Sequence, residues 1–150
     1  MSRVQLALNV PDIDQAVDFY SKLFATEPNK RQPGYANFAI ADPPLKLVLF
    51  EDPTAEVRLN HLGVEVPDSD AVWTHQRRLA DEGVGSVEES GTCCFAEQDK
   101  VWVDGPDGAW EIYTVLADSD AFGQASVKTD GGADPLGCAS VPEAGARCCG

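Results

Sequence analysis

The chain has 150 residues, 43% of them hydrophobic and 24% charged, and a formal net charge of −14. This is one domain by length, able to bury roughly 70% of its unfolded surface, and globular by composition. The charge argues against nucleic acid or an anionic membrane as partner, and no signal peptide or apolar stretch of transmembrane length is present, so a cytoplasmic protein is expected.

In chain order, residues 4–10 set Leu6, Leu8 and Val10 against Gln5, Ala7 and Asn9, the alternation of a half-buried strand. Pro11-Asp12 opens a helix reaching about Phe24, with Ile13, Ala16, Val17, Tyr20, Leu23 and Phe24 at helical spacing and Asp12 or Asp14 as its cap. Pro28 closes this segment. Strands follow at 35–41 and 45–50, with a turn at Pro43-Pro44 between them. The second half repeats this order. A strand at 60–66 places Leu62, Val64 and Val66 on one face and His61, Gly63 and Glu65 on the other. Pro67-Asp68 leads into a helix over about 69–82, stopped by Gly83. Short strands are expected near 86–90, 94–96 and 100–103. Gly105-Pro106-Asp107-Gly108 then signals a tight turn before a last strand at 110–115.

The two halves are related in sequence. Residues 5–14 align without a gap on residues 61–70, an offset of 56, and five of the ten positions are identical: Leu6/Leu62, Val10/Val66, Pro11/Pro67, Asp12/Asp68 and Asp14/Asp70. This indicates an internal duplication in which Gln5 and His61 are equivalent. The expected fold is α+β, two βαβββ modules at about 3–52 and 58–116 within a domain of residues 1–120. Residues 121–150 hold six Gly, six Ala and a single aromatic, too little apolar surface to offset the entropy of ordering, and are expected to form a flexible tail.

The five cysteines are Cys93, Cys94, Cys138, Cys148 and Cys149. An odd count in a reducing compartment argues against a disulfide framework. Adjacent cysteines pair poorly with each other but can offer two thiolates to one soft atom. Neighbours on a regular strand point to opposite faces, so Cys93 and Cys94 must occupy a turn or bulge to do so; Gly91-Thr92 just before them suits an irregular backbone. Cys148-Cys149 either captures thiophilic metal or arsenic or has no role. Of the two histidines, His75 is expected at the surface of the second helix; Tyr35, Phe38, Trp102 and Tyr113 read first as core.

Paired βαβββ modules, a histidine on the first strand of the second, and a Gly-Pro-Asp-Gly turn followed by Trp110-Glu111 together resemble the vicinal oxygen chelate superfamily (glyoxalase I, bleomycin-resistance proteins, extradiol dioxygenases). The resemblance covers about residues 3–116. It implies curved half-barrel modules around a metal cavity, with ligands from first and last strands. Carried over by position, the ligands are Gln5, His61 and Glu111, which would also be the catalytic centre. Residues 45–50 provide no carboxylate, His or Cys for a fourth ligand, so open coordination positions would remain, as in iron oxygenases. An amide at position 5 departs from the extradiol pattern, which has histidine there.

Longer blocks, at residues 33–49, 60–66, 92–96, 98–103 and 113–120, resemble the cadmium-induced proteins and carbon–arsenic lyases (CadI/ArsI type). That resemblance implies an Fe(II)- and dioxygen-dependent enzyme that cleaves the carbon–arsenic bond of trivalent organoarsenicals, such as methylarsenite and reduced aromatic arsenicals, and releases arsenite. Cys93 and Cys94 would hold the arsenic. A soft arsenic(III) centre prefers thiolates to oxygen ligands, which agrees with that role. The implied partners are the organoarsenical and dioxygen, with a homodimer compatible. The alternatives are a non-catalytic cadmium- or arsenic-sequestering protein and a glyoxalase-type isomerase; the missing fourth ligand and the cysteine pair count against the isomerase.

Overall fold

The structure is a computed structural model that describes residues 2–123 and 125–128, the last four as backbone alone. The elements in chain order are β1 (Arg3–Val10), α1 (Ile13–Phe24), β2 (Lys30–Gln32), β3 (Tyr35–Ile40), β4 (Leu45–Glu51), β5 (Leu59–Glu65), α2 (Ser69–Asp81), β6 (Val87–Cys93), β7 (Ala96–Gly105), β8 (Gly108–Asp118) and β9 (Ala125–Lys128). The two expected βαβββ modules are both present, as β1-α1-β2-β3-β4 and β5-α2-β6-β7-β8. The chain divides into two compact units, one spanning Arg3–Val64 and the other continuing from Glu65.

In the first unit the strands lie in the order β2-β3-β4-β1-β5. β1 runs parallel to β4, with Gln5 beside Lys46 and Ala7 beside Val48, and β4 is antiparallel to β3. The period of two divides every strand. Leu8, Val10, Ala36, Phe38, Ile40, Leu47 and Leu49 face α1 and form a core with its Ile13 and Val17. Each large side chain of this kind contributes about 1.5–3 kcal/mol on burial. The opposite face carries Gln5, Ala7, Tyr35 and Asn37, which are also buried. Phe38 is therefore core, as expected, whereas Tyr35 stands on the other face, its ring 5.6 Å from that of Phe50.

The second unit orders its strands β8-β7-β6-β9, all antiparallel. α2 packs on β7 and β8, burying Val72 and Val101 completely. The helix starts repeat the duplication at the level of bonds. Asp12 caps α1 by accepting from the Gln15 N–H at 2.9 Å, and Asp68 caps α2 by accepting from the Ala71 N–H at 2.8 Å. α2 stops at Asp81, and Gly83 just beyond it takes a positive φ of 77° that glycine adopts easily.

The three short strands expected across 86–103 are corrected to two long ones. Residues 94 and 95 are not strand; they form the turn between β6 and β7, and a single ten-residue β7 stands where separate strands at 94–96 and 100–103 are expected. Short polar interruptions hide a strand whose inward positions are themselves polar. A further strand, β9, pairs with β6 from Glu88 to Gly91, inside the stretch expected to be tail. Cys138, Cys148 and Cys149 lie outside the described residues. No helix among those described is long and apolar enough to cross a membrane.

Candidate active site

In the first unit, β1 and β5 bring the two duplicated positions into contact. Gln5 and His61 are 4% exposed each, on the face turned away from the helix core, and Gln5 Nε2 lies 3.0 Å from His61 Nε2. The other ring nitrogen, His61 Nδ1, lies 2.8 Å from Asn60 Oδ1. A ring that donates from Nδ1 to a carbonyl oxygen presents its Nε2 lone pair, the arrangement usual for a histidine that ligates a metal. The residue beside Gln5 on β4 is Lys46, a cation in place of a fourth ligand.

In the second unit, one face of the β6-β7-β8 sheet gathers polar side chains that are almost wholly buried. Register places Glu89 opposite Lys100 and Cys93 opposite Ala96, then Lys100 opposite Tyr113 and Trp102 opposite Glu111. Lys100, 2% exposed, donates to Glu111 Oε2 at 3.0 Å and sits 3.5 Å from the Cys93 sulfur. Its ammonium also lies 5.3 Å from the centre of the Trp102 ring. Trp102 Nε1 donates to Glu89 Oε2 at 2.9 Å, while Glu89 Oε1 and Gln98 Oε1 are buried without a hydrogen-bond partner. Burial pushes the Glu89 carboxyl above its ordinary range, and the neighbouring Lys100 charge only partly opposes this. Trp102 is thus buried as expected, but among charged groups rather than in an aliphatic core.

Cys93 and Cys94 do occupy a turn. Cys93 closes β6 and pairs with Ala96, so Cys94 and Phe95 form a two-residue hairpin loop, with φ of 52° and 63°. Positive φ at both loop positions matches the twist of the flanking strands, and Asn or Gly normally supplies it. Cysteine and phenylalanine there hold strain of order 1–3 kcal/mol each. The turn brings the two sulfurs to 3.5 Å. One atom bonded to both at about 2.3 Å, the metal–thiolate distance, at an angle between right and tetrahedral, holds its sulfurs roughly 3.3–3.8 Å apart. The backbone thus presents the pair at the separation of a chelate.

Of the expected site residues, Gln5 and His61 meet in one unit, and Cys93, Cys94 and Glu111 gather in the other. Among the described residues no group of three or more His, Cys, Asp and Glu side chains is assembled to hold a metal. The expected ligand set has only two of those types, its third member being the Gln5 amide. Its donors, a neutral imidazole, an amide oxygen and a carboxylate, suit a divalent first-row metal. His75 is half-buried on α2. Sequence reasoning missed Lys100 and Glu89. The signal for Lys100 is the alternation Gln98, Lys100, Trp102, which puts a lysine on the same strand face as an aromatic residue; Glu89 on β6 has no such signal.

Comparison with known proteins agrees with this architecture. The model of the Glyoxalase/Bleomycin resistance protein/Dioxygenase superfamily matches residues 3–111. The chain is 64% identical over 125 residues to the cadmium-induced protein CadI of Mycobacterium tuberculosis, covering 82% of each chain. It is 59% identical over 128 residues to the trivalent organoarsenical cleaving enzyme of Thermomonospora curvata, covering 83% of this chain and 85% of that one. An extradiol ring-cleaving dioxygenase from B.fuscum shares the fold at 16% identity with a TM-score of 0.56, over 80% of this chain and 34% of that one. With its paired modules and these relatives, the chain belongs to the Glyoxalase/Bleomycin resistance protein/Dioxygenase superfamily.

Proposed function

We propose that this protein is an Fe(II)- and dioxygen-dependent enzyme that cleaves the carbon–arsenic bond of trivalent organoarsenicals, methylarsenite and reduced aromatic arsenicals among them, and releases arsenite. The observation that carries the reading is the Cys93-Cys94 turn, two sulfurs 3.5 Å apart on a strained hairpin beside a buried Lys100–Glu111 ion pair. The relative named for organoarsenical cleavage supports the substrate class.

Cys93 and Cys94 bind the arsenic as a chelate. Once the first thiolate has attached, the second bond forms at high effective concentration, so the pair holds its substrate far better than either sulfur alone. Lys100 sets a positive charge against the Cys93 sulfur, where the arsenic-bonding form of the cysteine is anionic. The same ammonium fixes the Glu111 carboxylate. Gln5, His61 and Glu111 would hold iron, which when bound supplies the redox chemistry with dioxygen. Burial of the polar faces keeps bulk water from the reacting groups and strengthens their electrostatic interactions.

Variants of the cysteine pair test the substrate half. Cys93→Ser removes one thiolate. Cys94→Asn removes the other while placing at a positive-φ position a residue that tolerates it. Each is expected to bind methylarsenite at least tenfold more weakly in fluorescence or calorimetric titration, with iron binding unchanged. Parent-like methylarsenite binding in both would move the substrate elsewhere, and loss of iron in both would make the cysteines metal ligands.

A second reading, stoichiometric sequestration of cadmium or arsenite, is favoured by the relatives named as cadmium-induced proteins and by the affinity of paired thiolates for any soft cation. A binder saturates at one equivalent, whereas an enzyme turns over.

A further inference from the structure

We propose that Asn9 and Asn60 are positioning residues that set the tautomer of His61, through a one-way chain of hydrogen bonds that begins at a backbone carbonyl. The chain has four links. Asn9 Nδ2 donates to the Val57 carbonyl at 3.0 Å; Asn60 Nδ2 donates to Asn9 Oδ1 at 2.8 Å; Asn60 Oδ1 lies 2.8 Å from His61 Nδ1; and His61 Nε2 lies 3.0 Å from Gln5 Nε2. The Asn9 backbone N–H also donates to the Arg58 carbonyl at 2.7 Å, which holds the start of the chain in place.

The direction follows from what each atom can do. A peptide carbonyl only accepts, so Asn9 must turn its amide nitrogen to Val57 and its amide oxygen to Asn60. That oxygen also only accepts, so Asn60 must turn its nitrogen to Asn9 and its oxygen to the ring. The ring nitrogen facing that oxygen must carry the proton. In the neutral imidazole, Nε2 is then the lone-pair atom, and the Gln5 amide N–H donates to it. Orientations of single Asn, Gln and His side chains are commonly ambiguous. Here the fixed polarity of Val57 propagates through two amides and leaves one consistent assignment. Reversing Asn60 alone would set its amide oxygen against the Asn9 amide oxygen and turn its amide N–H groups on the ring nitrogen that now carries the proton.

The consequence for the metal rests on the proposed function, in which His61 ligates iron; the tautomer itself does not. A ligand whose lone pair is already in place loses nothing to tautomerisation on binding, and loss of such outer partners typically lowers metal affinity about 10–100-fold. The duplication gives Gln5 and His61 equivalent positions, but the relay serves only the histidine, since an amide ligand has no tautomer to choose.

The test is long-range proton–nitrogen correlation NMR on the full-length, metal-free chain, at a pH well above the ordinary imidazole value of about 6.5. With two histidines in the chain, a His75→Gln background leaves one ring to observe. The parent is expected to show Nδ1–H. Asn60→Leu should convert it wholly or partly to Nε2–H, and so should Asn9→Leu, although Asn9 does not touch the ring. Asn60→Asp should keep Nδ1–H, because a carboxylate accepts from the ring whichever way it turns, and should make the tautomer indifferent to a second Asn9→Leu change. An Nε2–H ring in the parent, or an Asn9→Leu variant with the parent tautomer, would overturn the relay. Cobalt(II) titration of the same variants separates the two layers. A tenfold or larger loss in Asn60→Leu supports the relay acting on a ligand. A converted tautomer with parent affinity upholds the relay and removes His61 from the metal site.

Discussion

Glu89 and Lys100 show how much a single buried side chain can contribute to this site. Glu89 is 2% exposed, and its carboxyl titrates above the ordinary range because burial disfavours its charge. A folded-state value above the unfolded one means that, across the interval between them, the folded chain holds more protons. Stability then falls as pH rises through that interval. Glu89→Gln, which can still accept from Trp102, is expected to raise the melting temperature at neutral pH and to flatten its dependence from pH 4.5 upward; thermal unfolding across pH checks this. Lys100→Met is expected to lower stability by about 3–5 kcal/mol at pH 7, because it strands the Glu111 carboxylate in a buried site, and Lys100→Arg to recover part of it, as denaturant unfolding would report. These residues were hard to see in sequence because a charged residue on a strand is ordinarily read as solvent-facing. Gln5, His61 and Glu111 stand out in the sequence as candidates through the superfamily resemblance, with duplication adding weight to the first two, and all three are buried. Cys93 and Cys94 stand out by adjacency, and their sulfurs lie 3.5 Å apart.

At the scale of elements, the hairpin that carries the cysteines is held from its far side. Ser119 N–H donates to the Phe95 carbonyl at 2.9 Å, the Phe122 ring meets that of Phe95 edge to face with centroids 5.4 Å apart, and β9 pairs with β6. Gly123 approaches so closely that a Cβ there would fall 2.0 Å from the Thr92 carbonyl oxygen, and its φ is +102°. Gly123→Ala is expected to cost about 1–3 kcal/mol by this clash and to loosen the cysteine turn, measured as a lower melting temperature together with weaker methylarsenite binding. Truncation sharpens the point. A chain ending at Asp120 is expected to melt several degrees below one ending after Lys128, because only the first loses Phe122, Gly123 and β9. Equal melting of the two would mean that the segment contributes nothing. The Gly- and Ala-rich composition of residues 121–150 concealed this docking, which uses one aromatic ring, one glycine and backbone pairing. The sequence pattern also extends strand into the cysteine turn, since Cys-Phe lacks the Asn-Gly signature of a two-residue hairpin.

At the scale of the molecule, duplication accounts for most of what was legible. Both modules, both helix caps at Asp12 and Asp68, and the equivalence of Gln5 with His61 follow from a ten-residue match at an offset of 56. The 3.0 Å contact between those two side chains is that repeat expressed in space. What duplication leaves out is the chemistry peculiar to the second module, the Cys93–Lys100–Glu111 cluster on its inner face, which has no counterpart in the first. If this cluster supplies substrate and Gln5, His61 and Glu111 supply iron, then His61→Ala should abolish iron binding while the melting temperature stays within a few degrees of the parent. Cobalt(II) and nickel(II), above iron(II) in affinity order, should compete for the same site. The most direct measurement is product analysis: the chain is loaded anaerobically with Fe(II), given an excess of methylarsenite, and sampled with and without dioxygen for arsenite by chromatography with arsenic-specific detection. Several equivalents of arsenite per chain in the presence of dioxygen, and none in its absence, is the expected result; methylarsenite taken up at one equivalent and recovered intact under both atmospheres would contradict carbon–arsenic cleavage.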